Sequence, residues 1–203
     1  MTAKPGFFNR IKALNSKQLT LFAIALSERM LPNYLLFAQI TEQADSQKAA
    51  TIQDMLWQSL YTRNFKLNYE RMQDQLELLI PEPEEYDFYG VYPATDALVA
   101  MVTILSAMEQ KVDTDLINLS KLSSSTVAAF IEASEQPEVE SEEALDDFVF
   151  SHPLMAQERE IQNQLLEWVE EQDPIDPEAV KALRKELRDE GVSNIGVTLT
   201  DEA

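Results

Sequence analysis

The chain has no cysteine, four glycines and one histidine in 203 residues. Without thiols it can build no disulfide, thiolate metal site, iron–sulfur cluster or cysteine nucleophile. The single histidine, His152, excludes two-histidine metal sites and the doubled Glu-x-x-His arrangement of di-iron bundles. So few glycines leave little material for tight hairpin turns, which argues against an antiparallel sheet. Long apolar runs are missing too. The two most apolar stretches, Leu19 to Leu26 and Ala97 to Met108, fall short of the roughly 18 residues that suggest a membrane span. Met1 to Arg10 mixes charged and apolar residues, so no export signal is expected there, and the chain is expected to be soluble and cytoplasmic with no membrane association.

Basic charge is also scarce, at 16 Lys and Arg against 36 Asp and Glu for a net of −20. The imbalance is local. Residues 1–80 carry nine basic and seven acidic side chains, whereas residues 81–203 carry seven and 29. Such a surface repels phosphate, so direct binding to nucleic acid is not expected. An acidic mimic of nucleic acid stays open as an alternative; it requires carboxylates in one continuous stripe.

What is abundant is helix-forming sequence: Leu, Ala, Glu, Gln, Met and Lys recur throughout, and 45% hydrophobic content is enough for one sizeable core. The expected fold is all-α, an irregular multi-helix bundle of antiparallel helices. One domain over residues 1–191 is expected, with an acidic connection near 135–143 and an extended or disordered tail over 192–203.

Ser16 is placed to cap a helix running to Leu31, and Leu31-Pro32-Asn33 to turn a sharp corner into a new helix beginning at Pro32. Asn68 is placed to cap a helix that stops at Pro81. Asp87 to Pro93 reads as an irregular aromatic connection, with Gly90 permitting a tight turn and an apolar helix starting at or just before Thr95. Ser123-Ser124-Ser125 is a potential weak point in the helix after Asp113. His152 precedes Pro153 at a helix start, and Asp176 is placed to cap a last helix closing at Gly191. The carboxylates Glu142, Glu143, Asp146 and Asp147 read as a solvated face. Lys181, Arg184, Lys185 and Arg188 form a basic face suited to docking on the acidic part of the chain or of another copy.

Three stretches concentrate polar groups beside apolar helices: Ser27 to Tyr34 (Ser-Glu-Arg-Met-Leu-Pro-Asn-Tyr), Tyr89 to Ala97 (Tyr-Gly-Val-Tyr-Pro-Ala-Thr-Asp-Ala) and Ser193 to Gly196 (Ser-Asn-Ile-Gly). With these in order along the whole chain, the sequence resembles the YjaG-like family of bacterial proteins of unknown function. The resemblance implies an all-helical protein of about this length and carries no activity, cofactor or catalytic residue with it.

From the residues themselves, Glu28, Arg29, Asn33, Tyr34, Tyr89, Tyr92 and Asp96 are candidate ligand-binding positions, because buried polar groups need partners. Were the first two stretches to meet, Arg29 could pair with Asp96 or Glu28 beneath the tyrosines, leaving a recess near Arg29, Tyr34, Tyr92 and Asp96 for a small ligand or substrate. The competing reading makes the same residues architectural. No catalytic residue, cofactor or metal is expected. The function expected is that of a non-catalytic helical binding or interaction protein, with a protein partner or a second copy of the chain; an enzyme or small-ligand protein using the recess is the alternative.

Overall fold

The computed structural model describes residues 5–43 and 45–199. Among them are nine α-helices: α1 (Phe7–Ala13), α2 (Ser16–Ile40), α3 (Gln47–Tyr61), α4 (Tyr69–Glu77), α5 (Val91–Gln110), α6 (Asp113–Glu135), α7 (Glu142–Ser151), α8 (Pro153–Glu170) and α9 (Pro177–Glu190). A single 3-10 turn, Pro83–Glu85, lies between α4 and α5. The described residues contain no strand, and the fold is all-α.

The helix starts follow from local chemistry. Asn15, rather than Ser16, caps α2: its side chain accepts from the Lys17 and Gln18 amides while Gln18 Oε1 accepts from the Asn15 amide. Asn68, Ser141, His152 and Asp176 cap α4, α7, α8 and α9 through side-chain acceptors, His152 using Nδ1. Pro153 and Pro177 stand at the first helical positions, where the missing N–H costs nothing. At the far end of α9, Gly191 takes the left-handed φ of +59° that only glycine adopts without strain.

α2 and α5 form the centre, packing on each other more extensively than any other pair, with α6 across both. α5 is long and apolar enough by length and composition to cross a membrane, but half of its 20 residues are buried by neighbouring helices, as in the core helix of a bundle. A smaller apolar cluster of Val127, Ile131, Val149, Met155 and Ile195 lies where α6, α7, α8 and the C-terminal segment meet.

Several expectations are corrected. No corner forms at Pro32, because α2 runs unbroken for 25 residues with Pro32 inside it. The proline removes one backbone hydrogen bond at about 3 kcal/mol, but Tyr34, Phe37 and Ala38 beyond it are buried, and a break would forfeit about 1.5–3 kcal/mol for each large side chain. Ser123 does not weaken α6; it is buried within a continuous helix. α5 begins at Val91, ahead of Thr95, with Pro93 in its first turn rather than at its first position. Gly90 keeps an ordinary φ of −53°, so its role is space: a Cβ there would lie 2.8 Å from the Phe88 ring. The segment after Gly191 is non-helical through residue 199, with Ser193, Asn194 and Ile195 buried and Val192, Gly196, Thr198 and Leu199 exposed. Thr200 to Ala203 lie outside the described residues.

Candidate functional site

The first and third of the polar stretches meet: the Arg29 carbonyl accepts from the Asn194 amide at 3.1 Å. Asn33 Nδ2 donates to Asn194 Oδ1 at 2.9 Å, and Asn194 Nδ2 donates to both the carbonyl and Oγ of Ser123. Ser193 Oγ shapes the turn by accepting from the Ile195 and Val197 amides.

Beside this contact Arg29 Nη1 donates to Glu158 Oε2 at 2.6 Å, the two side chains being 7% and 0% exposed. The other oxygen of Glu158 accepts from Ser123 Oγ and from Gln162 Nε2, each at 2.6 Å, and Gln162 Oε1 accepts from Ser120 Oγ. Glu158 therefore sits in a cage of one cation and two neutral donors, the condition under which a carboxylate can be buried. Asn33 Oδ1 is the one buried side-chain polar atom without a partner among the described residues.

The remaining candidate residues go elsewhere. Arg29 pairs with neither Asp96 nor Glu28, which corrects the expected pairing. Glu28 turns to the α3 and α9 side of α2: Trp57 Nε1 donates to its Oε2 at 2.7 Å, and Arg188 forks onto both of its oxygens. Arg188 and Arg184 also reach Asp54. Of the basic face of α9, Arg184 and Arg188 thus dock on carboxylates of the first 80 residues, while Lys181 and Lys185 pair with Glu178 and Asp189 of α9 itself.

Asp96 accepts from Thr126 Oγ1 at 2.7 Å; burial raises its pKa above the carboxylate norm, an effect the Thr126 hydroxyl partly offsets. Tyr34 is buried, and its phenol is pushed up to about 12 by burial with Asp45 adding to it. Tyr89 is likewise pushed up to about 12, first by burial and then by Asp96 and Glu132. It leans on Tyr92 and Phe130, ring centroids 5.6 and 6.0 Å away, and Tyr92 is 53% exposed. Of Arg29, Tyr34, Tyr92 and Asp96, the four residues of the expected recess, Arg29 alone lines the groove that the structure opens beside it.

That groove lies between α8 and α9 and has a volume of about 720 Å³. α9 packs on α2 and α3, whereas α8 packs on α2, α6 and α7, so the two helices diverge instead of closing on each other. Ile161 and Trp168 of α8 face Leu183 and Leu187 of α9 across it, Glu186 and Glu190 stand on the α9 side, and Arg29, Glu158 and Asn194 reach it from below. Beyond the Nη1 bond to Glu158, the guanidinium of Arg29 has no acceptor among the described residues, and none of its nitrogens is a sealed, unpartnered atom. Its remaining N–H groups are therefore accessible from the groove.

Sequence reasoning missed Glu158, Gln162, Ser123 and Asn194 as members of this network. A signal existed for two of them: Glu158 and Gln162 interrupt, four residues apart, the apolar face that Met155, Leu165, Leu166 and Val169 otherwise continue. Among the described residues no three histidine or carboxylate side chains converge as a metal site would require.

Comparison with known proteins supplies kinship without an activity. Residues 6–198 match the model of a family described as protein of unknown function, DUF416. The uncharacterized protein YjaG of Salmonella typhimurium and that of Escherichia coli K12 are each 35% identical over 189 residues, covering 93% of this chain and 94% of the relative. A crystal structure of a DUF416 family protein from Shewanella baltica OS155 superposes with a TM-score of 0.91 at 50% identity, covering 97% of this chain and 100% of that one. The chain belongs to the DUF416 family, bacterial all-helical proteins whose function is unknown.

Proposed function

We propose that this protein works in the cytoplasm as a non-catalytic interaction protein, and that the groove between α8 and α9 receives an amphipathic helix of a protein partner. The observation that carries this reading is Arg29, a nine-tenths-buried cation with unused N–H groups at the foot of an apolar groove. Those N–H groups are open to the groove, and an occupant offering a carbonyl there makes a hydrogen bond to a charged donor in place of one to water.

Size argues for a polypeptide over a small molecule. From Leu154 to Trp168 the α8 wall is about 21 Å long at 1.5 Å per residue, close to four helical turns. Charge chooses the partner: Glu158, Glu186 and Glu190 against Arg29 leave the groove net acidic. A second copy of a chain at net −20 would be repelled, whereas a helix with Lys or Arg flanking its apolar face is attracted. Helix-in-groove recognition of this kind is a recurring mode.

Trp168 on the groove wall reports the test. Titrating the full chain with a synthetic basic amphipathic helix is expected to change Trp168 fluorescence saturably, while an acidic peptide with the same apolar face does not. The response should vanish in Leu187→Lys and in Trp168→Phe, the latter leaving the signal of Trp57. Equal response to both peptides, or none to either, would overturn the proposal; saturable binding of a metabolite lost on Arg29→Lys would replace it with a small-ligand site.

A further inference from the structure

A second cleft, of about 680 Å³, opens at the end of the bundle where α2 and α6 begin and α3 and α5 finish. Its lining reverses the sign of the chain. Lys17, Arg63 and Lys111 border it against one acidic side chain, Asp113, so a protein of net −20 carries a cleft of net +2. Asp113 is itself engaged, accepting from Ser16 Oγ.

Most arginines of the chain are neutralised within it: Arg10 by Glu170, Arg29 by Glu158, Arg184 by Asp54, Arg188 by Glu28 and Asp54. Among the described residues, no such partner stands within ion-pair distance of Lys17, Arg63 or Lys111. Helix ends account for two of them. Lys111 closes α5 and Arg63 follows α3, and a cation is favourable at the negative end of a helix. Lys17 is the opposite case, a cation in the first turn of α2, which has no acidic residue there. Its charge gains nothing from its own helix and is free to meet an anion from elsewhere.

Behind the cleft, Arg184 donates to Tyr61 Oη at 2.9 Å and Lys181 Nζ lies 5.4 Å from the Tyr61 ring centroid, but Asp54 and Glu178 neutralise them, so the field of the cleft is that of its own lining. On the other side, Glu109 lies near enough to Tyr69 to help raise its phenol pKa, after burial, and Asp173 lines an adjoining pocket together with Lys17; these are the opposing charges besides Asp113 that the surroundings show. Leu60, Tyr69 and Met108 supply an apolar side.

We infer that this cleft binds a small organic anion of two or more negative charges, its charged groups held among Lys17, Arg63 and Lys111 and its apolar part laid against Leu60, Tyr69 and Met108. The site is separate from the α8/α9 groove and does not depend on the reading of that groove.

The test is isothermal titration of the full chain with two probes at low salt: inorganic pyrophosphate, which offers charge alone, and 1,5-naphthalenedisulfonate, which offers charge on an apolar ring. One-to-one binding of the disulfonate, tighter than that of pyrophosphate and weakened about tenfold or more in Lys17→Glu and in Lys111→Glu, is the expected result. Both substitutions are at exposed positions, so the unliganded variants should stay folded, with Lys17→Glu raising the melting temperature slightly and Lys111→Glu lowering it slightly through the charges of their helix ends. Equal affinity for the two probes would remove the apolar half of the inference. Absence of saturable binding by either probe, or binding that survives in the Lys17→Glu/Lys111→Glu double variant, would overturn it.

Discussion

Glu28 and Arg29 are neighbours in α2, yet they anchor two ion-pair systems that solvent treats differently. Arg29 and Glu158 are buried between α2, α6 and α8 at 7% and 0% exposure, with only the unused edge of the guanidinium open to the groove. Glu28, itself only 5% exposed, is bound instead to Arg188, which also reaches Asp54; these last two are 41% and 38% exposed, so here water reaches the cation and the outer carboxylate. The chemistry is the same, guanidinium on carboxylate at less than 3 Å, but the consequences differ. A wet pair adds about 0–1 kcal/mol, because water is nearly as good a partner. A buried pair adds little more when intact, since desolvation offsets its attraction, but leaving one member alone costs about 3–5 kcal/mol.

The sharpest way to break that comparison is Glu158→Leu, which strands Arg29 and two neutral donors, Ser123 and Gln162, in the interior. Urea denaturation is expected to show a loss of about 3–5 kcal/mol. Arg29→Met combined with Glu158→Leu should recover most of it, because no buried charge is then left unpaired. A single variant costing less than about 1 kcal/mol would mean that water entering from the groove already hydrates the pair.

Next in size is Arg188→Ala. Burial opposes the charge of Arg188, but Glu28 and Asp54 together hold its pKa above the guanidinium norm. Glu28 Oε2 keeps Trp57 and Asp54 keeps Arg184, but Glu28 Oε1, in a side chain 5% exposed, loses its only donor. A loss of about 1–3 kcal/mol is expected, the Asp54 share of it gone in high salt, whereas the Glu158→Leu loss should persist there in full. Equal salt sensitivity in the two variants would erase the distinction between the systems.

The contrast also shows what could be read in the chain beforehand. Helix formers, few glycines and the caps at Asn68, Asp176 and Gly191 were enough for the fold class and most helix limits, since those are local preferences. Pro32 misled because its penalty, real in isolation, is outweighed by the burial of the side chains after it. That Glu28, Arg29, Asn33 and Asp96 need partners was legible from their types. Which partners they take was not, because Glu158, Arg188, Asn194 and Thr126 lie 30 to 161 residues away along the chain, and a sequence without its packing does not say which helix faces which. The groove was invisible for the same reason: it exists only because α8 and α9 lean on different neighbours.

Asp96 lies between the two extremes and yields the smallest expected effect. It is only partly buried where Glu158 is fully so, and it has a single neutral donor, Thr126, in place of an arginine and two more. Burial therefore wins and its pKa is raised in the folded state. The folded protein then holds that proton more tightly than the unfolded chain does. Its contribution to stability is fully present below the ordinary carboxylate range and is lost as pH rises through the raised value. At neutral pH the charged form is a mild liability. Asp96→Asn keeps an acceptor for Thr126 without the charge, so its melting temperature should exceed the parent's at pH 7 and converge on it as pH falls towards 3. Thr126→Val should move the other way at pH 7, removing the one donor that offsets burial. If Asp96→Asn is less stable at pH 7 and the gap closes in acid, then the ionised carboxylate is the stabilising form, and Asp96 belongs with Glu158 as a properly caged charge.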